Sequence, residues 1–117
     1  VGRPQGFAVL SGDDEITVPM LALGADGLIS VVSNVVPRLM RELVHRGRTG
    51  DVSGARELHM RVLPWLRAAF VESNPIPVKA ALSMMGRCEN VLRSPLVTLE
   101  PRHEAAVRAA LAAVGAL

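Results

Sequence analysis

The chain of 117 residues has few aromatic side chains, one cysteine and no tyrosine. The aromatic residues are Trp65, Phe7 and Phe70. Cys88 can form no disulfide within the chain, which excludes a disulfide-dense secreted domain and favours a reducing compartment, the cytoplasm. No apolar run reaches the roughly 18 residues that a membrane-spanning helix requires, so we expect no membrane segment.

The charge also lacks a strong bias, because 13 basic residues stand against 11 acidic ones for a net charge of +2. The arginines are scattered singly, without the basic stripe and exposed aromatics that are typical of nucleic-acid binding. His45, His59, His103 and Cys88 show no ligand spacing, so we expect neither a nucleic-acid partner nor a metal. Hydrophobic residues make up 50% of the chain, enough for the core of one small domain.

The first third of the sequence has the pattern of a strand, a helix and a second strand. Residues 7–10 form a short apolar run that predicts a buried strand, and residues 27–32 predict another. The segment between them is long enough for a crossover, so we expect the strands to be parallel. Asp13 and Asp14 precede the predicted helix and are expected to cap it, with a catalytic carboxylate pair as the alternative.

The rest of the chain is predicted to be helical, apart from an irregular stretch over residues 87–100. The first two predicted helices begin near Pro37 and Asp51, the third begins between Pro75 and Pro77, and the last begins at Pro101. The helix that begins near Asp51 carries a core-facing stripe at alternating spacings of three and four, formed by Ala55, Leu58, Val62, Trp65 and Ala69. Two parallel strands need further strands and cover on both faces, so the pattern indicates part of a larger α/β protein.

Four blocks of the sequence, taken in order, resemble one protein family. They are LSGDD (10–14), LGADGLISV (23–31), NVVP (34–37) and FVESNPIPVK (70–79). Together they resemble the C-terminal part of the dihydrodipicolinate synthase family along almost the whole chain. The resemblance implies an α/β fold in which residues 1–48 are the last two βα units of a TIM (β/α)8 barrel. Residues 49–117 would then be the family's C-terminal helical extension.

The resemblance also implies a function. The family condenses pyruvate with aspartate 4-semialdehyde in lysine biosynthesis, through a lysine Schiff base and a tyrosine-centred proton relay, without a cofactor. The lysine and the tyrosines lie upstream of the matched part, so this chain is expected to hold no catalytic residue and to be inactive alone. Family members are commonly homotetramers, and the helix between Asp14 and Leu23 is a candidate for the smaller of the two interfaces.

The family's pocket residues map onto few positions of this chain. Gly12 and Ile29 correspond to residues that line the pocket and contact pyruvate, and Asp13 and Asn34 are expected to shape it. Lys79 is the only lysine, but its block places it in the helical extension, so a structural or surface role is expected for it and not the Schiff base.

Two alternative functions remain open. The first is an N-acetylneuraminate lyase or sugar-acid aldolase of the same superfamily, although the Asn-Pro-Ile-Pro-Val-Lys block favours the synthase. The second is a non-catalytic helical interaction module, which would be a degenerate relative or a truncated product and would need a partner chain for its strands.

Overall fold

The computed structural model describes residues 2–117, which form two short strands and five helices. In chain order they are β1 (Leu10–Ser11), α1 (Thr17–Ala22), β2 (Gly27–Leu28), α2 (Pro37–Arg48), α3 (Val52–Ala68), α4 (Ile76–Met84) and α5 (Pro101–Ala113). A single turn of 3₁₀ helix at Val32–Asn34 joins β2 to α2. The predicted βαβ start, the helical remainder and the irregular stretch before α5 are confirmed.

The two strands pair in parallel, as predicted, with Leu10 opposite Gly27 and Ser11 opposite Leu28. The predicted extents of the strands, residues 7–10 and 27–32, are wrong, because only two residues of each strand enter the ladder. Within residues 2–117 each strand has a single hydrogen-bonded neighbour. Phe7 lies outside the ladder, and its side chain is 60% exposed among the described residues. A parallel strand that lacks a second neighbour and a covering layer has little to keep it extended.

Asp26, just before β2, fastens the segment that leads into β1. Its carboxylate accepts a hydrogen bond from the Val9 amide at 2.8 Å and pairs with Arg3. The Asp26 amide in turn donates to the Val9 carbonyl at 2.7 Å. The Val9 amide and the Arg3 guanidinium both favour the ionised form, so the pKa of Asp26 lies below its ordinary value.

The expectation that Asp13 and Asp14 cap the first helix is wrong. Helix α1 begins only at Thr17, its N-cap residue is Ile16, and no side chain caps it. The Asp13 carboxylate instead accepts from the Glu15 amide at 2.8 Å, which closes a tight turn ahead of the helix. The Asp14 side chain points away from the helix and contacts the segment that follows β2.

The helices follow the sequence signals closely. Helix α2 begins with Pro37 at its first position, and α3 is capped by Asp51, whose carboxylate accepts from the Gly54 amide at 2.9 Å. Helix α2 contains Gly47, ends at Arg48 and packs closely on α1 at Gly47. A Cβ atom built on Gly47 would lie 2.7 Å from Leu21 Cδ1, so any larger residue at this position would force Leu21 to shift.

One hydrophobic core joins the βα units to the C-terminal helices. Trp65 is fully buried, as the predicted stripe on α3 requires. The core is continuous from α1 to the end of α5 and includes Leu21, Val32, Met40, Leu43, Val62, Trp65, Val78, Val107 and Leu111. The division at residues 48 and 49 coincides with the end of α2 but separates no independent cores, and it stays a prediction. Among residues 2–117 no helix is both long and apolar enough to cross a membrane.

Candidate functional site

Gly12 and Ile29 lie side by side where the two strands end. The register pairs Ser11 with Leu28, and the Ile29 amide donates to the Ser11 carbonyl at 2.8 Å. The residues that follow the two strands, Gly12 and Ile29, are therefore neighbours. Gly12 is exposed and has open space where a side chain would stand. The Ile29 side chain is 68% exposed. An exposed apolar side chain beside an open glycine gives a small ligand access to both.

The structure brings Asp13 to this edge but places Asn34 in the 3₁₀ turn that follows β2, outside the lining of the cleft beside Gly12. Asp13 is exposed and follows Gly12 directly. Asn34 lies in the 3₁₀ turn, where its side-chain amide donates to the Val31 carbonyl at 2.9 Å. The side chain of Asn34 therefore stabilises the turn after β2.

A cleft of about 420 Å³ opens beside the strand ends. The β1–α1 loop forms one wall with Gly12, Asp13 and Glu15, and the last turns of α3 form the other with Leu66, Arg67 and Phe70. Sequence reasoning missed the second wall. The only signal that could have found it is Phe70, which opens the block at residues 70–79. The Arg67 guanidinium supplies a positive charge, which can pair with a carboxylate, opposite the acidic side chains of Asp13 and Glu15.

Asp14 occupies a buried position directly behind this edge, where its role differs from the helix cap that the sequence predicted. Its carboxylate is 1% exposed and accepts three hydrogen bonds. One oxygen accepts from the Ser30 hydroxyl at 2.5 Å, and the other accepts from the amides of Val31 and Val32 at 2.9 and 3.2 Å. A carboxylate has acceptors only, which suits three converging donors.

Trp65 ties the helical extension to the same turn. Its indole N–H donates to the Val32 carbonyl at 3.3 Å, across 33 residues of sequence. The Val32 amide bonds to Asp14, so α3, the 3₁₀ turn and the β1–α1 loop are joined through one residue. The extension thus supports the edge that carries Gly12 and Ile29.

The remaining chemically active side chains lie elsewhere. Lys79 is on α4, in the helical extension, where the sequence placed it. Cys88 is half-buried and unbonded to another cysteine. In the part of the chain that the structure describes, no group of three or more histidine, cysteine, aspartate or glutamate side chains could hold a metal ion.

Comparison with known proteins decides the family. The model of the dihydrodipicolinate synthetase family matches residues 3–114, which is nearly the whole chain. The chain belongs to this family. It corresponds to a C-terminal portion of the family's members, as the four sequence blocks indicated.

Individual dihydrodipicolinate synthases agree with this assignment. The 4-hydroxy-tetrahydrodipicolinate synthase of Maridesulfovibrio salexigens is 53% identical over 112 residues, which cover 96% of this chain and 38% of that protein. The solved structure from Thermotoga maritima is 47% identical with a TM-score of 0.92 and covers 95% of this chain and 38% of its own. The chloride-inhibited enzyme of Acinetobacter baumannii in complex with pyruvate, 39% identical, also gives a TM-score of 0.92 and covers the same shares of the two chains. The chain therefore spans well under half the length of the relatives that it matches.

Proposed function

We propose that this chain supplies the last two βα units of a TIM barrel and the helical extension of a lyase that joins pyruvate to aspartate 4-semialdehyde in lysine biosynthesis. The observation that carries the proposal is the paired carboxyl ends of β1 and β2, where Gly12 and Ile29 are neighbours and Gly12 also lines a cleft. Barrel enzymes place their active sites at this end of the strands. The pyruvate complex of the Acinetobacter baumannii relative supports the substrate class.

In the proposed reaction a lysine outside this chain condenses with the ketone of pyruvate and releases water. The resulting imine loses a proton to become an enamine, which attacks the aldehyde carbon. Ile29 would contact the bound pyruvate, Gly12 would leave room for it, and Asp13 and Asn34 would shape the pocket. Arg67 stands across the cleft, where it can attract the carboxylates of both substrates.

The same proposal makes this chain inactive by itself. It contains no tyrosine, and its only lysine, Lys79, lies on α4 and is absent from the lining of the cleft beside Gly12. No cofactor is needed for Schiff-base chemistry, because the amine of the protein itself activates the ketone. The single cysteine favours the cytoplasm as the compartment.

The test is intact-mass spectrometry of the complete natural gene product after incubation with pyruvate and then borohydride. We expect a chain of full barrel length to gain one reduced pyruvate adduct, while the 117-residue chain gains none. A full-length product without an adduct would contradict the Schiff-base assignment. A natural product of about this short length without an adduct would instead favour the non-catalytic interaction module. Turnover of sugar acids in place of aspartate 4-semialdehyde would favour the aldolase alternative.

We further propose that α1 contributes to the smaller interface of a homo-oligomer. Leu23, directly after α1, is 90% exposed, and Ile16, directly before it, is 49% exposed. The proposed interface would cover these apolar side chains at both ends of the helix. Sedimentation velocity of the complete chain should show a smaller species for Leu23→Arg. The matched control is Val91→Arg, since Val91 is 65% exposed in the irregular stretch, and an equal effect of both variants would contradict the interface.

A further inference from the structure

Asp14 and Ile29 belong to different segments, but Asp14 holds the backbone that follows Ile29 in place. The Asp14 carboxylate holds the Ser30 hydroxyl and the amides of Val31 and Val32, which are the three residues that follow Ile29. On the other side, the Ile29 amide is held by the Ser11 carbonyl at 2.8 Å. The backbone of Ile29 is therefore anchored in both directions.

Among the described residues, the side chain of Ile29 has little packing that could place it, because it is 68% exposed. Within this part of the protein, its direction depends on the backbone on either side. Ser30 extends the anchor, because its hydroxyl donates to Asp14 and also accepts from the Ser33 amide at 2.8 Å.

We propose that Asp14 is a positioning residue, which orients Ile29 against bound pyruvate without touching the substrate. The assignment rests on the proposed function, which makes Ile29 a pyruvate contact. It accounts for a buried carboxylate that has three donors and does not cap α1. An amide in its place would offer one acceptor oxygen and a donor group, so at least one of the three donors would lose its partner.

The experiment compares Asp14→Asn with the unaltered protein in the complete natural chain. Glu57→Gln, on the exposed surface of α3, is the matched control for the change from carboxylate to amide. The adduct trapped by borohydride is measured by intact mass at increasing pyruvate concentrations. For Asp14→Asn we expect the half-saturating pyruvate concentration to rise by up to about tenfold, while the adduct at saturation is unchanged. The bond that is lost lies within the protein, so only the displacement of Ile29 that follows from it weakens pyruvate binding. Glu57→Gln should leave both quantities unchanged.

Steady-state kinetics separates positioning from a structural role. For Asp14→Asn we expect the KM for pyruvate to rise and the KM for aspartate 4-semialdehyde to stay constant. A structural role alone would lower the yield of active enzyme, and so the apparent kcat, with both KM values unchanged, which would overturn the assignment. Ser30→Ala keeps the Asp14 carboxylate and removes one donor, so it serves if Asp14→Asn does not fold. We expect it to raise the half-saturating concentration about threefold, less than Asp14→Asn, and no rise would likewise overturn the assignment.

The two proposals fail in different ways. If the unaltered protein forms no adduct, the Schiff-base function is wrong and the role of Asp14 falls with it. If the unaltered protein forms an adduct and Asp14→Asn shows the same half-saturating concentration, only the role of Asp14 is refuted.

Discussion

Replacing Trp65 by phenylalanine tests whether the helical extension supports the strand ends. Trp65 is fully buried, and its indole N–H donates to the Val32 carbonyl at 3.3 Å. That carbonyl also accepts from the amides of Val35 and Val36, so Trp65→Phe leaves it partnered and removes only the one bond. The lost hydrogen bond should cost about 1 kcal/mol. The smaller ring leaves a void on the order of 40 Å³, which adds about 1 kcal/mol.

Hydrogen exchange followed by mass spectrometry measures this cost inside the complete chain. A loss of about 2 kcal/mol should accelerate exchange of the protected α3 and α5 amides by about 30-fold. Met60→Leu is the control on the same helix, because Met60 is 60% exposed, and it should change exchange by no more than about twofold. An acceleration by Trp65→Phe that does not exceed that of Met60→Leu would refute the view that this contact holds the extension in place.

Three further predictions concern other parts of the fold. Gly47→Ala gains about 1 kcal/mol of helix propensity but forces a Cβ against Leu21, at about 1–3 kcal/mol. We therefore expect a lower thermal midpoint, and Gly47→Ala combined with Leu21→Ala should lose less than the sum of the two changes. Asp51→Ala removes the α3 cap, at about 1 kcal/mol, and should accelerate exchange of the first-turn amides, whereas Asp51→Asn should retain most of their protection. Asp26→Asn should lower the urea midpoint at pH 7, because the pKa of Asp26 is below its ordinary 3.8 in the folded state. That stabilisation is fully present above the ordinary value and is lost as the pH falls through the lowered pKa, so a midpoint difference that persists in stronger acid would contradict the pairing with Arg3.

Local sequence signals predicted the helices and the parallel pairing well. The stripe that ends at Trp65 and Ala69 faces the core because apolar side chains at spacings of three and four share one side of a helix. Pro37 and Asp51 mark helix starts through chemistry that depends only on adjacent residues. The strand lengths could not be predicted in this way, because a strand extends only as far as neighbouring strands pair with it.

The candidate site was predicted only in part, because much of it depends on distant partners. Gly12 and Ile29 are neighbours at the strand ends, as the parallel register requires, and Asp13 follows Gly12 directly. Asp14 was misinterpreted because a carboxylate at that position can cap its own helix equally well. Which acceptor role it takes depends on Ser30 and its neighbours, 16 and more residues away. Likewise, Arg67 faces the cleft only because α3 packs against the βα units.

The buried carboxylate of Asp14 also specifies how the two strands align. Its three donors lie two to four residues after β2, so the pairing of Ser11 with Leu28 brings them within reach of Asp14. A slip of one residue would turn the side chains of β2 to the opposite face of the sheet. It would also leave the buried carboxylate of Asp14 without its three donors, at a cost of several kcal/mol. Correct alignment is thus favoured by a penalty on every other pairing, which a purely apolar contact between these short strands would not provide.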